Sequence, residues 1–170
     1  MRKKVVSVIG GRSCEPKVEQ LAHELGEKLA KVVGHLVSGG LTGTMRAACA
    51  GFRAGGGTTI GIIPSYDKRE VNPYVDIVIP TGLGLARNVL VVASGDVVIA
   101  LPGGPGTLSE IAYCLQFGVP VISLGSWDIE GVIRARTADE AVRKAGEILK
   151  NRKTIIPRKL WSKCLKPRKR

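Results

Sequence analysis

The chain has 170 residues, 44% of them hydrophobic and 4% aromatic, with 22 glycines and 9 prolines. That suits one α/β domain with a core of its own, and no apolar run approaches the roughly 20 residues of a membrane helix. The net charge of +12 is uneven: residues 1–149 carry 16 basic against 14 acidic side chains, whereas residues 150–170 carry 10 basic side chains and no acid.

The expected organisation is therefore a near-neutral domain over 1–149 and a basic C-terminal extension over 150–170. Cys14, Cys49, Cys114 and Cys164 show neither CxxC nor metal-finger spacing, which points to reduced thiols in a cytoplasmic protein and to no metal site. The basic start Met1-Arg2-Lys3-Lys4 precedes an apolar stretch too short for a secretion signal, and Gly10-Gly11-Arg12 ends it.

In chain order, Lys4 to Ile9 reads as a strand, and a helix starts at Ser13 or Cys14 with apolar residues from Val18 to Val32 at helical spacing, ended by Gly34. A short strand His35-Leu36-Val37 runs into the loop Ser38-Gly39-Gly40-Leu41-Thr42-Gly43. A small-residue helix follows over Met45–Ala54, then a strand over Thr58–Ile63 and a polar loop over 65–75. Asp76–Ile79 is the next strand, and Thr81-Gly82-Leu83-Gly84 turns into a helix over Leu85–Ala93 that carries Arg87. Val97–Leu101 is a strand, followed by a glycine loop and a helix from Gly106 or Thr107 to Gly118. Val119–Leu124 is the last strand read. Thr137-Ala138-Asp139-Glu140 is a capping-box signature before a helix over Ala141–Leu149. Alternating strands and helices predict a single Rossmann-like, doubly wound, mainly parallel sheet covered by helices on both faces.

Three glycine-rich loops fall at strand exits: Gly10-Gly11; Ser38-Gly39-Gly40 with Gly43; and Gly103-Gly104 with Gly106 and Thr107. Open parallel sheets bind ligands at such ends, and the amides of a helix N-terminus suit a phosphate. The first loop lacks GxGxxG, the second strand ends in Ser38 rather than an acid, and no GxxxxGK[ST] occurs, which argues against NAD and against P-loop ATP hydrolysis. Glu110 lies one turn into the helix, close to whatever the phosphate carries, although Thr107-x-x-Glu110 is also a capping box. Arg87, among apolar neighbours, needs a carboxylate or phosphate partner. His23, His35, Cys14 and the polar loop Tyr66-Asp67-Lys68 read as ordinary. The basic tail with Trp161 could contact nucleic acid, a reading not favoured over a solvated extension.

Pro102-Gly103-Gly104-Pro105-Gly106-Thr107-Leu108-Ser109-Glu110 resembles the PGGxGTxxE signature of the Lonely Guy (LOG) family within a wider Rossmann-like superfamily. Arg87, 23 positions before Glu110, matches the family's catalytic arginine, and Ser38-Gly39-Gly40 its SGG segment. The resemblance implies a hydrolase that cleaves the N-glycosidic bond of nucleoside 5′-monophosphates, and a homodimer or higher homo-oligomer is expected. Gly103, Gly104, Gly106 and Thr107 would hold the 5′-phosphate, Glu110 would act at C1′, and Arg87 would orient the substrate. No required cofactor is implied, and the family's older label of lysine decarboxylase fits no pyridoxal site here. The sequence departs from the family at Leu85, Ala86 and Asn88 around Arg87, at Pro105 and at Ser109. Ala86-Arg87-Asn88 looks more like a short subgroup that includes molybdenum-cofactor carrier proteins, which implies a non-catalytic carrier as the alternative. The related DNA-processing family implies single-strand DNA binding as a third.

Overall fold

Seven short β-branched runs pair side by side, and the glycine-bounded segments between them coil back over the sheet. A computed structural model describes residues 3–151. The strands are β1 (Val5–Ile9), β2 (His35–Ser38), β3 (Thr58–Ile63), β4 (Ile77–Pro80), β5 (Val97–Ala100), β6 (Val121–Leu124) and β7 (Ile133–Ala135). The helices are α1 (Pro16–Ala30), α2 (Thr44–Ala54), α3 (Asn88–Ser94), α4 (Pro105–Phe117) and α5 (Ala138–Asn151). All strand pairs are parallel, in the order β4-β3-β2-β1-β5-β6-β7. The expected doubly wound sheet is what forms.

The order reverses between β1 and β5. The chain builds outward from β1 to β4, then returns to pair Val6–Ile9 with Val97–Ala100 and builds outward the other way. Side chains alternate across β1, so Val6 and Val8 enter the core under α1, α2 and α5, while Ile9 enters the core under α3 and α4. Ser7, on the α3 side, is fully buried and donates its hydroxyl to the Val91 carbonyl at 2.7 Å, which ties α3 to the central strand.

Several boundaries differ from the sequence reading, most by one to three residues. The first helix starts at Pro16, where the missing N–H is harmless, and ends at Ala30; Val32 and Val33 fold back on the Leu29 carbonyl before Gly34 is reached. The expected helix over Leu85–Ala93 is a 3-10 turn over Gly84–Arg87 followed by α3, because Gly82 and Gly84 take positive φ and tighten the entry. The strand expected from Val119 starts at Val121, since Gly118 sits in the left-handed region. β7 was not anticipated: it has three residues at the sheet edge, half exposed and without clear alternation. The helix expected to end at Leu149 runs through Asn151, while the rest of the basic extension and Trp161 lie outside the described residues. Cys14, Cys49 and Cys114 are free thiols.

α1 and α2 meet through glycine. A Cβ at Gly51 would stand 1.9 Å from the His23 carbonyl oxygen, and one at Gly26 would stand 2.2 Å from that of Ala48. The helix backbones are in contact there, and a methyl group has no room without separating them. Gly51→Ala is expected to destabilise the fold by about 1–3 kcal/mol through overpacking, read as a lowered midpoint in chemical denaturation.

Candidate functional site at the reversal of strand order

Where the strand order reverses, the exits of β1 and β5 lie side by side and their loops stay joined. Leu101 donates its amide to the Ile9 carbonyl at 2.9 Å, and Gly11 donates to the Pro102 carbonyl at 3.0 Å. The second glycine loop is tied to the first: the Thr44 amide and hydroxyl both donate to the Gly11 carbonyl at 3.1 Å, and the Thr42 hydroxyl donates to the Arg12 carbonyl. All three glycine loops thus meet in one place.

Their glycines have different reasons to be glycine. A Cβ at Gly10 would strike the Thr44 hydroxyl, and one at Gly43, which has φ +63, would strike the Gly11 carbonyl. Gly40 takes φ +70, and its amide donates to the Ser38 hydroxyl. Ser38 is itself fully buried and touches the Cys49 thiol, so its hydroxyl faces the interior. A Cβ at Gly39 would stand 2.5 Å from Arg87 Nη2. Gly10, Gly11, Ser38, Gly39, Gly40 and Gly43 therefore lock the loops together and seat Arg87.

The third loop is different. Neither Gly103, Gly104 nor Gly106 has positive φ. Gly103 is crowded, since a Cβ there would meet the Thr107 hydroxyl and the Gly11 nitrogen, but one at Gly104 or Gly106 would meet nothing. The amides of Gly103, Gly104, Gly106 and Thr107 have no acceptor among the described residues. α4 begins at Pro105 with Gly104 at the N-cap, so these donors sit at the positive end of a 13-residue helix. Trp127, in the exit loop of β6, donates its indole N–H to the Gly103 carbonyl at 3.0 Å.

The early helix start decides the two roles open to Glu110. Thr107 is the third helical residue rather than the cap, so the capping-box arrangement does not form, and no group among the described residues hydrogen-bonds the Glu110 carboxyl. Thr107, Glu110, Ile111 and Cys114 share the buried face of α4. Glu110 is 6% exposed, and burial pushes its pKa up to about 7 against the lowering effect of Arg87.

Arg87 ends the 3-10 turn where α3 begins, and α3 packs beside α4 on the same face of the sheet. It is 4% exposed. Nη2 donates to the Gly39 carbonyl at 3.3 Å, Nη1 donates to the Asn88 side-chain carbonyl, and Nε is buried without an acceptor. Burial lowers the guanidinium pKa from its ordinary value, Glu110 opposes that and Arg12 adds to it. Arg87 and Glu110 thus feel each other's charge without forming an ion pair, and neutral carbonyls hold the guanidinium.

Other singled-out residues stay outside this cluster. Asp67 accepts from the Arg69 amide and side chain, so that loop is tied to itself. The Cys14 thiol is pushed up by burial and by Glu19, away from the reactive thiolate. The described residues hold no cluster of metal-ligating side chains, and no described helix is long and apolar enough to cross a membrane. The sequence reading passed over Asn88, Arg12 and Trp127 as site residues. Trp127 had one usable signal, an aromatic at the exit of the strand next to the glycine loop.

Known proteins share this sequence pattern and fold. An uncharacterised protein of Archaeoglobus fulgidus is 39% identical over 143 residues, 84% of this chain and 94% of that one. A probable cytokinin riboside 5′-monophosphate phosphoribohydrolase of Oryza sativa is 33% identical over 65% of this chain, which spans about half, 51%, of that protein's length. Among solved structures, the molybdenum cofactor binding protein of Rippkaea orientalis superposes with a TM-score of 0.80 at 36% identity, covering 88% of this chain and 99% of that one. DNA processing protein A of Streptococcus pneumoniae, at 18% identity and a TM-score of 0.65 over 84% of this chain and 62% of that one, shares the fold alone. Residues 3–154 match the SLOG cluster4 family, and the chain belongs to that family.

Proposed function

We propose that the protein binds a phosphorylated, nucleotide-like ligand at the β1–β5 reversal and hydrolyses the N-glycosidic bond of a nucleoside 5′-monophosphate. The observation that carries this reading is that Arg87 and Glu110, both buried and within reach of each other's charge, accompany a loop whose amides lack acceptors among the described residues. The amides of Gly103, Gly104, Gly106 and Thr107 take the phosphate, helped by the α4 dipole. The sugar then lies over Glu110. The C1′–N bond breaks with its electron pair leaving on the base, and the ionised Glu110 carboxylate stabilises the oxocarbenium-like centre. Water attacks C1′ and loses a proton to Glu110, which returns it to solvent, and the departing base nitrogen takes up one proton from solvent, giving free base and ribose 5-phosphate. Arg87, held by the Gly39 and Asn88 carbonyls and close enough to Glu110 to affect its charge, orients the substrate.

A second reading keeps the site and drops the turnover: a carrier for molybdenum cofactor or a related pterin phosphate. It is favoured by the likeness to the Rippkaea orientalis protein and to the molybdenum-cofactor carrier protein of Chlamydomonas reinhardtii, the latter 32% identical with a TM-score of 0.80. We also infer a homodimer, because Ile77 and Ile79 on edge strand β4, Leu83 and Leu85 in the approach to Arg87, and Leu90 on α3 are exposed and apolar.

Incubation with AMP should release adenine, and Glu110→Gln should lower kcat by about a hundredfold or more, as expected for loss of transition-state charge stabilisation. Release of no base by the wild type, together with molybdopterin retained through purification, would favour the carrier. The reaction needs ionised Glu110, so kcat/KM should rise with pH through about 7 and level off above it. Arg87→Ala should move that midpoint upward.

The same carboxyl is expected to affect stability in the opposite sense. Its folded pKa lies above the unfolded value, so the native state holds the extra proton between them and stability falls as pH rises through about 7. Glu110→Gln should therefore be more stable than wild type at pH 8, by about 2–3 kcal/mol, with the difference vanishing near pH 4.

Gly106→Ala offers a sharper separation of folding from binding. Alanine there meets no neighbour among the described residues and favours the helix by up to about 1 kcal/mol, yet it puts a methyl group beside an amide that the proposed phosphate would approach. The melting temperature should hold or rise while affinity for AMP falls at least tenfold. Light scattering should give twice the 18.0 kDa chain mass, and Leu85→Asp should shift it toward the monomer.

A further inference from the structure

The phosphate loop contains a peptide that could face either way. Gly103 and Gly104 are consecutive glycines, and neither has a Cβ to resist rotation of the peptide plane between them. In one orientation the Gly104 N–H faces the open side, and in the other the Gly103 carbonyl oxygen does. The first attracts an anion and the second repels it. A peptide is planar and trans, so fixing its carbonyl fixes its N–H in the opposite direction.

Both peptides of this loop have fixed carbonyls. The Pro102 carbonyl accepts from the Gly11 amide at 3.0 Å, which turns the Gly103 N–H away from Gly11. The Gly103 carbonyl accepts from the Trp127 indole at 3.0 Å, which turns the Gly104 N–H away from Trp127. The two donors come from opposite sides of the reversal, one from the β1 exit and one from the β6 exit. Trp127 is 40% exposed, too much for a core-filling role to explain a tryptophan there.

We propose that Trp127 is a positioning residue for anion binding, its indole N–H holding the Gly103–Gly104 peptide in the orientation that presents the Gly104 amide. This rests on the phosphate reading of the loop. The hydrogen bond selects between two peptide orientations, so removing it divides the loop between a binding and a repelling form. For a single hydrogen bond the expected loss of affinity is about three- to tenfold.

The test is a titration of the full chain with inorganic phosphate, followed by amide NMR, for wild type and Trp127→Phe, which keeps an aromatic ring and removes the donor. In wild type, phosphate should shift the Gly103, Gly104, Gly106 and Thr107 amides. In Trp127→Phe the affinity should fall and the Gly104 response should shrink, while Gly106 and Thr107, held by the helix itself, still respond. Wild-type affinity with an undiminished Gly104 shift in the variant would overturn the proposal. Absence of any phosphate response in wild type would overturn the phosphate reading and this proposal with it. If Trp127→Phe does not fold, hydrogen exchange of the wild-type Trp127 indole proton decides. Binding and pinning are reciprocal, so phosphate should slow that exchange, and an unchanged rate would overturn the proposal.

Discussion

Parallel pairing of β1 with β5 is the contact on which the rest depends. It is made between strands far apart in sequence, Val6–Ile9 and Val97–Ala100, and it creates the place where strand order reverses. Loops on either side of such a point diverge to opposite faces of a sheet, which leaves a crevice between them. Here the crevice is not left slack: backbone hydrogen bonds from Leu101 to Ile9 and from Gly11 to Pro102 carry the pairing past the strands and into the loops. The amide-rich start of α4 is thereby held against the exit of β1, and a third loop, at Gly39–Thr44, is drawn in through the Gly11 carbonyl.

Below the loops lies an electrostatic tension that only packing can sustain. A buried guanidinium ordinarily takes a carboxylate as its direct partner. Arg87 instead rests on two neutral carbonyls and keeps a buried donor unpaired, while Glu110, the carboxylate nearest in effect, is held near a pKa of 7. A direct ion pair would have lowered that pKa further and left neither group free. Keeping them apart costs stability, and perturbed buried charges of this kind cluster at functional sites.

The glycines show how much of this the sequence contained. Three glycine loops at strand exits were legible, and so was their gathering at one end of the sheet, because alternating strands and helices permit few topologies. What each glycine does was not legible. Gly39 is small because Arg87 lies on it, 48 residues further along, and Gly43 because the Gly11 backbone passes in front of it. Gly104 and Gly106 face open space. A glycine read in one dimension carries no record of which of these applies, since the neighbour that excludes a Cβ comes from elsewhere in the chain.

Glu110 makes the same division. Its place in the helix, its distance from the glycine loop and the family signature around it were set by the sequence, and so was the parallel doubly wound fold, since hydrophobic periodicity and glycine punctuation are local properties. The choice between capping residue and buried acid was decided by where the helix begins. Pro105 supplies the first helical residue and moves Thr107 inside, which no local pattern at Thr107-x-x-Glu110 expresses. The raised pKa, the seat of Arg87 on Gly39 and Asn88, and the indole contact from Trp127 to Gly103 likewise came only from tertiary structure. Desolvation and hydrogen-bond geometry depend on which distant segments close over a group, and the sheet alone brings those segments together.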